Sequence, residues 1–130
     1  MKTVSSLAAA AAAVLSLSAC ATTLRTDLPY AADATEFTGW LRVSGEEFAL
    51  YATEQQLLRP FSRPCVSGAA SLDEMRAAGD LDGERVRITG RTAAWSSDLP
   101  GHRLVHERAT IRNVCSGAFV ILADDIVAIP

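Results

Sequence analysis

Three cysteines, two histidines four residues apart, a pair of adjacent aspartates and a run with arginine at alternate positions are the parts of this 130-residue sequence that could carry chemistry. Cys20, Cys65 and Cys115 could serve as thiols, disulfide halves or metal ligands. No Cys-x-x-Cys is present to lower a thiol pKa, and neither His102 nor His106 stands beside a cysteine in a zinc-like spacing. The two histidines would share a helix face, but Pro100-Gly101 and the alternating RLVHERATIR predict a turn and a strand, which would put them about 13 Å apart. A shared metal is therefore not expected. Asp124 and Asp125 are adjacent, so in a strand they point to opposite faces and do not make an acid/base pair. Ser67-Gly68 and Ser116-Gly117 read as turn residues beside cysteines, not as a G-x-S-x-G elbow. No nucleophile, base and orienting group fall together, so catalysis is not expected, and a hydrolase with an unrecognised site is the lesser reading. Arg85, Arg87 and Arg91 share one side of a strand, where guanidinium groups can hold phosphate or carboxylate bidentately. The plainer reading of that stripe is a solvated face paired with nearby Glu and Asp.

Residues 1–19 stand apart from all of these. After Met1-Lys2, the stretch VSSLAAAAAAVLSLSA carries no charge and few polar groups, the layout of a secretory signal and too short and Ala-rich for a membrane span. Its end, Leu17-Ser18-Ala19-Cys20, resembles the lipobox of bacterial lipoproteins. The resemblance implies a diacylglyceryl thioether on Cys20, cleavage between Ala19 and Cys20, and N-acylation of the new amine. The alternative is an ordinary signal junction, with Cys20 cleaved away or left as a spare thiol. Two or more acyl chains, at about 0.8 kcal/mol per buried methylene, would make a persistent membrane anchor. Ala21 stands where a retention signal would resemble Asp, which implies an outer-membrane destination facing the periplasm. Beyond those covalent acyl chains no cofactor is expected.

Without the leader about 111 residues remain, the size of one domain. The only lysine, Lys2, lies in the leader, so in residues 20–130 the 15 carboxylates outnumber the arginines by about four. There is no polybasic segment, so lipid alone would do the anchoring, and the negative balance argues against nonspecific nucleic-acid binding. With Cys20 lipidated, Cys65 and Cys115 form an even pair, and in an oxidising compartment one disulfide is expected. Its loop of about 50 residues would contribute roughly 4 kcal/mol in the chain-entropy model.

The elements that would hold these residues begin after a tether over residues 20–36, small and polar with no sustained period, in which Leu24, Leu28 and Tyr30 could pack locally. A single domain over residues 37–130 comes next. Phe37, Gly39, Leu41 and Val43 alternate with Thr38, Trp40 and Arg42 as in a half-buried strand. Ser44-Gly45 predicts a turn and residues 46–52 the return strand, with Phe48 and Leu50 on its inner face. Pro60 and Pro64 predict an irregular connection with a short extended piece around Cys65. Ser71 and Glu74 form a capping box for a helix of about two turns, with Leu72 and Met75 inward and Gly79 as a left-handed stop. Asp82-Gly83 then turns into ERVRITGRTAAW, the clearest strand in the sequence. The apolar run AFVIL predicts a strand buried on both sides, and Asp124-Asp125 a turn or bulge before a last short strand.

The pattern predicts a mostly β domain: a small antiparallel barrel or sandwich with one short capped helix and one disulfide. The VRITGR strand, with a glycine that permits a sharp bend, resembles the OB-fold barrel. That resemblance implies oligonucleotide or oligosaccharide ligands, of which the envelope setting leaves anionic glycan or glycolipid, or a partner protein. Trp40 and Trp95 could supply stacking surfaces or pack at the barrel rim. The expected function is a membrane-anchored, non-catalytic binding or adaptor module, with a structural accessory subunit of an envelope assembly as the alternative.

Overall fold

The computed structural model describes residues 30–59 and 62–130. The expected leader, the lipobox and Cys20 lie outside the described residues. Five strands close a barrel: β1 (Glu36–Ser44), β2 (Glu47–Tyr51), β3 (Val66–Ala69), β4 (Arg85–Ala94) and, last in the chain, β7 (Phe119–Ala128), in the order β1-β2-β3-β7-β4. Neighbours are antiparallel except β3 and β7, which run parallel, and β1 closes the barrel by pairing with both β2 and β4. A separate hairpin of β5 (Leu104–His106) and β6 (Ala109–Ile111) is inserted between β4 and β7.

Alternation in β1 and β4 sets which side faces in. Phe37, Leu41, Val86 and Ile88 meet Phe48, Leu50, Val66 and Ile121 in one apolar core. All five residues from Phe119 to Ala123 are buried, as expected of a strand covered on both sides. Across the 85–94 strand the register shifts between Thr89 and Gly90, so Asp124 is the extra residue of a bulge in β7. Asp124 and Asp125, at the bulge, are both exposed.

Two helices occur rather than one. α1 (Glu54–Leu57) is a single turn started by a complete capping box in which Thr53 and Gln56 satisfy each other's backbone donors. Its Leu57 packs with Ala49, Tyr51, Cys65 and Cys115 on the outer side of β2. α2 (Leu72–Ala78) begins with the Ser71 hydroxyl accepting from the Glu74 backbone at 3.2 Å and closes the core with buried Met75. Gly79 is right-handed (φ −55°) and leads into a 3-10 turn, Gly79–Leu81, so it is not the left-handed stop. The reversal falls at Gly83 (φ 84°), where the Asp82 carboxylate accepts from the Val43 amide at 2.8 Å.

Ser67-Gly68 sit inside β3 and not in a turn. A Cβ at Gly68 would strike the Ile121 carbonyl and lie 2.6 Å from the Phe48 ring, so only glycine lets β3 and β7 approach. The Cys65–Cys115 disulfide is formed, with Cα atoms 5.4 Å apart and 50 residues between them in sequence. The described end of the expected tether lies against the barrel: Tyr30 meets the Phe37 ring edge-on at 5.7 Å and donates its hydroxyl to the Thr38 carbonyl at 2.8 Å. Ala34 also packs on the core, and the Thr92 hydroxyl donates to the Ala32 carbonyl.

Candidate functional site: a basic pocket over the disulfide

The outer side of β1 and β2 collects cationic and aromatic groups because the barrel register stacks them. Trp40 of β1 stands between Arg85 of β4 and Tyr51 of β2, and Arg42 is opposite Ala49, which in turn pairs with Ser67 of β3. Cys65 precedes β3 on this side and joins it to the 112–117 loop. A pocket of about 330 Å³ opens there, lined by Arg42, Arg59, Arg63, Tyr51 and Ser62, with Cys65 and Val114 forming part of its wall.

Hydrogen bonds hold two of the three guanidinium groups in place. Arg42 donates Nη2 to the Leu57 carbonyl at the end of α1, at 2.9 Å. Arg63 donates to the Cys115 carbonyl and, through Nη2 at 3.0 Å, to the Val114 carbonyl. Carbonyl partners orient a guanidinium without neutralising it. Arg59 has no salt-bridge or side-chain hydrogen-bond partner among the described residues. Among the described residues no carboxylate lines the pocket, and three like charges face one opening. Such a cleft attracts anions, and all three side chains have unused donors for oxygen acceptors.

The loop that forms the far wall is fixed from several directions. Glu47, 5% exposed, accepts from the Arg112 amide and the Val114 amide, each at 3.0 Å. The Ser67 hydroxyl accepts from the Cys115 amide at 2.9 Å. Asn113, in a left-handed conformation, exchanges hydrogen bonds with Gly117 at 2.8 and 3.2 Å. A wall built this way is pre-organised for a ligand. The chain matches no family model, no curated protein and no solved structure.

The arginines singled out in the sequence occupy a neighbouring surface. Arg85, Arg87 and Arg91 are all exposed on the outside of β4, and Arg85 donates Nη1 to the Pro130 backbone oxygen at 3.1 Å. Arg85 lies beside Trp40, whereas Arg91, opposite Leu122, is at the other end of the strand. None of the three has a salt-bridge partner among the described residues. The pairing with Glu and Asp expected of a solvated face is thus not formed there. Trp95 packs against the core beside β7.

His102 is in a 3-10 turn, Pro100–His102, and His106 in β5. His106 is buried, its Nε2 3.1 Å from the Ala123 carbonyl and 3.8 Å from the Glu107 carboxylate. No group of three His, Cys, Asp or Glu side chains among the described residues could hold a metal ion. Glu74 lines a second, smaller pocket of about 200 Å³ with Asp125. Burial, and then the charges of Asp125, Glu107 and Asp124, push the Glu74 carboxyl above its ordinary pKa.

Arg42, Arg59, Arg63 and Tyr51 do not stand out as candidates in the sequence. Arg59 and Arg63 flank a proline-rich connection with no period to place them. Their meeting with Arg42 depends on the β1–β2 register and on a cystine that pulls residues 112–117 across. The one local signal is Arg63 standing two residues before Cys65.

Proposed function

We propose that this chain is a lipid-anchored bacterial envelope lipoprotein whose barrel is a non-catalytic binding module for anionic groups. The basic pocket carries this reading: three guanidinium groups without a salt-bridge partner among the described residues, and an aromatic ring, face one opening with a fixed wall. The lipid anchor rests on the Leu17-Ser18-Ala19-Cys20 sequence, and with it the placement at the outer membrane facing the periplasm. Among the described residues the exposed large apolar side chains Leu58, Val105, Val114 and Val127 are distributed over four separate segments. A flat apolar docking patch would be expected of a purely structural subunit, so this scatter favours the binding module.

The strand order, the parallel β3–β7 pair and the placement of α2 between β3 and β4 support the OB-fold resemblance. Ligands of OB barrels lie on the second and third strands and the adjoining loops. Here α1 and the cystine cover that face, which shifts the open surface to the pocket at its edge. A net negative chain in the envelope favours an anionic glycan or glycolipid, or an acidic partner, over nucleic acid.

The experiment has two arms on the full-length protein made in a bacterial host. Labelled palmitate should enter the protein and fail to enter the Cys20→Ser variant. Titration with polygalacturonate and with inorganic polyphosphate should show binding that neutral dextran does not, and the Arg42→Ala/Arg59→Ala/Arg63→Ala triple variant should lose it. Absence of label overturns the anchor, and indifference to both polyanions overturns the binding module.

A further inference from the structure

If the barrel is an anion-binding module, the same pocket has features that select among anions. Its three arginines have no salt-bridge partner among the described residues, and two are held by carbonyls that leave their charge intact. A single carboxylate offers one negative charge and two acceptor oxygens. A phosphomonoester brings about −1.5 to −2 at neutral pH and three acceptor oxygens, matching three guanidinium groups more fully. The volume, about 330 Å³, lies at the lower end of the roughly 300–1,000 Å³ range of organic-ligand pockets. There is room for more than the phosphate itself. Tyr51 and Ser62 add hydroxyls to the lining, and Val114, 53% exposed, adds an apolar edge.

We propose that the pocket over the Cys65–Cys115 disulfide binds a phosphomonoester carried on a larger molecule, with Arg42 and Arg63 as fixed contacts and Arg59 closing on the bound group; this assignment rests on the binding-module reading. A sugar phosphate of an envelope glycan and the headgroup of a phosphate-bearing lipid share this chemistry. Arg59 is exposed and its side chain makes no hydrogen bond or salt bridge among the described residues, so it is the pocket arginine whose removal breaks no such contact.

Calorimetric titration of the purified full-length protein with glucose 6-phosphate, glucuronate, glucose and dihexanoyl phosphatidic acid tests this. Glucose 6-phosphate is expected to bind at least about tenfold more tightly than glucuronate at equal ionic strength, and glucose not at all. Arg59→Ala is expected to weaken phosphate binding about tenfold with no change in melting temperature, while Arg76→Ala on α2 leaves it unchanged. Tighter binding of the phosphatidic acid than of the sugar phosphate assigns the lipid source, and the reverse order assigns the glycan. Equal affinity for glucuronate, or phosphate binding insensitive to Arg59→Ala, overturns the phosphomonoester assignment while leaving an anion-binding module in place. If neither phosphate binds, the assignment is likewise overturned.

Discussion

Glu47 is the buried carboxylate with the clearest structural task, since its two oxygens satisfy two backbone donors of the loop that walls the pocket. Glu47→Ala would leave both half-buried amides without this partner and is expected to destabilise the protein by about 1–2 kcal/mol. Urea unfolding under oxidising conditions measures this, with Glu47→Gln expected to fall between the two. Tyr30 gives a pH signature. Burial pushes its hydroxyl up from 10.0 to about 12, so the folded state holds that proton more tightly than the unfolded chain does. Its contribution is complete below pH 10 and is lost as pH rises toward 12. Melting curves across this window should be flatter for Tyr30→Phe than for the wild type. Glu74 shows the same sign at the acidic end: its raised pKa, from burial and from Asp125, Glu107 and Asp124, means that ionisation costs stability as pH rises through the carboxylate range. Glu74→Gln is expected to raise the melting temperature at neutral pH, by less in high salt, and not in acid.

Several elements were legible in the sequence because one local rule decides each of them. Alternation in β1 and β4 and the apolar run opening β7 follow from which faces are covered. The hidden elements are those where a distant partner decides. Gly68 reads as a turn residue, yet it lies in β3 because the Ile121 backbone and the Phe48 ring need the space. Gly79 reads as a helix stop, yet Asp82 and Gly83 make the reversal one 3-10 turn later. The Thr53-x-x-Gln56 capping box was present in the sequence, but a four-residue helix has no period to accompany it. The site was legible only in its parts: Arg42 as an outward residue and Cys65–Cys115 as a pair. Gly90→Ala tests the tightest junction, where a Cβ would strike the Leu122 carbonyl and lie 2.9 Å from the Ala123 Cα beside the bulge. A loss of about 1–3 kcal/mol is expected in urea unfolding. Reduction of the disulfide should weaken anion binding before the barrel unfolds, because Arg63 takes its orientation from Val114 and Cys115. Parallel binding and circular-dichroism curves against reductant concentration would separate the two events.

Across the whole molecule an overall excess of acid coexists with a pocket whose described lining carries three arginines and no carboxylate. Because the pocket arginines are exposed, polyanion affinity should fall steadily between low and high salt, over the range in which the Debye length shrinks from about 30 Å to about 3 Å. A salt-independent affinity would mean that the contacts are not mainly ionic.

The two ends of the described chain are tied to different stretches of β4. The Gly90 amide donates to Thr35 and the Thr92 hydroxyl to Ala32, whereas the Ile129 amide donates to Arg85 and the Arg85 guanidinium to Pro130 at the start of the strand. Arg85 stands beside Trp40, whose other neighbour is Tyr51 of the pocket. A fluorophore or affinity handle fused after Pro130 would therefore sit at the edge of the pocket and crowd it.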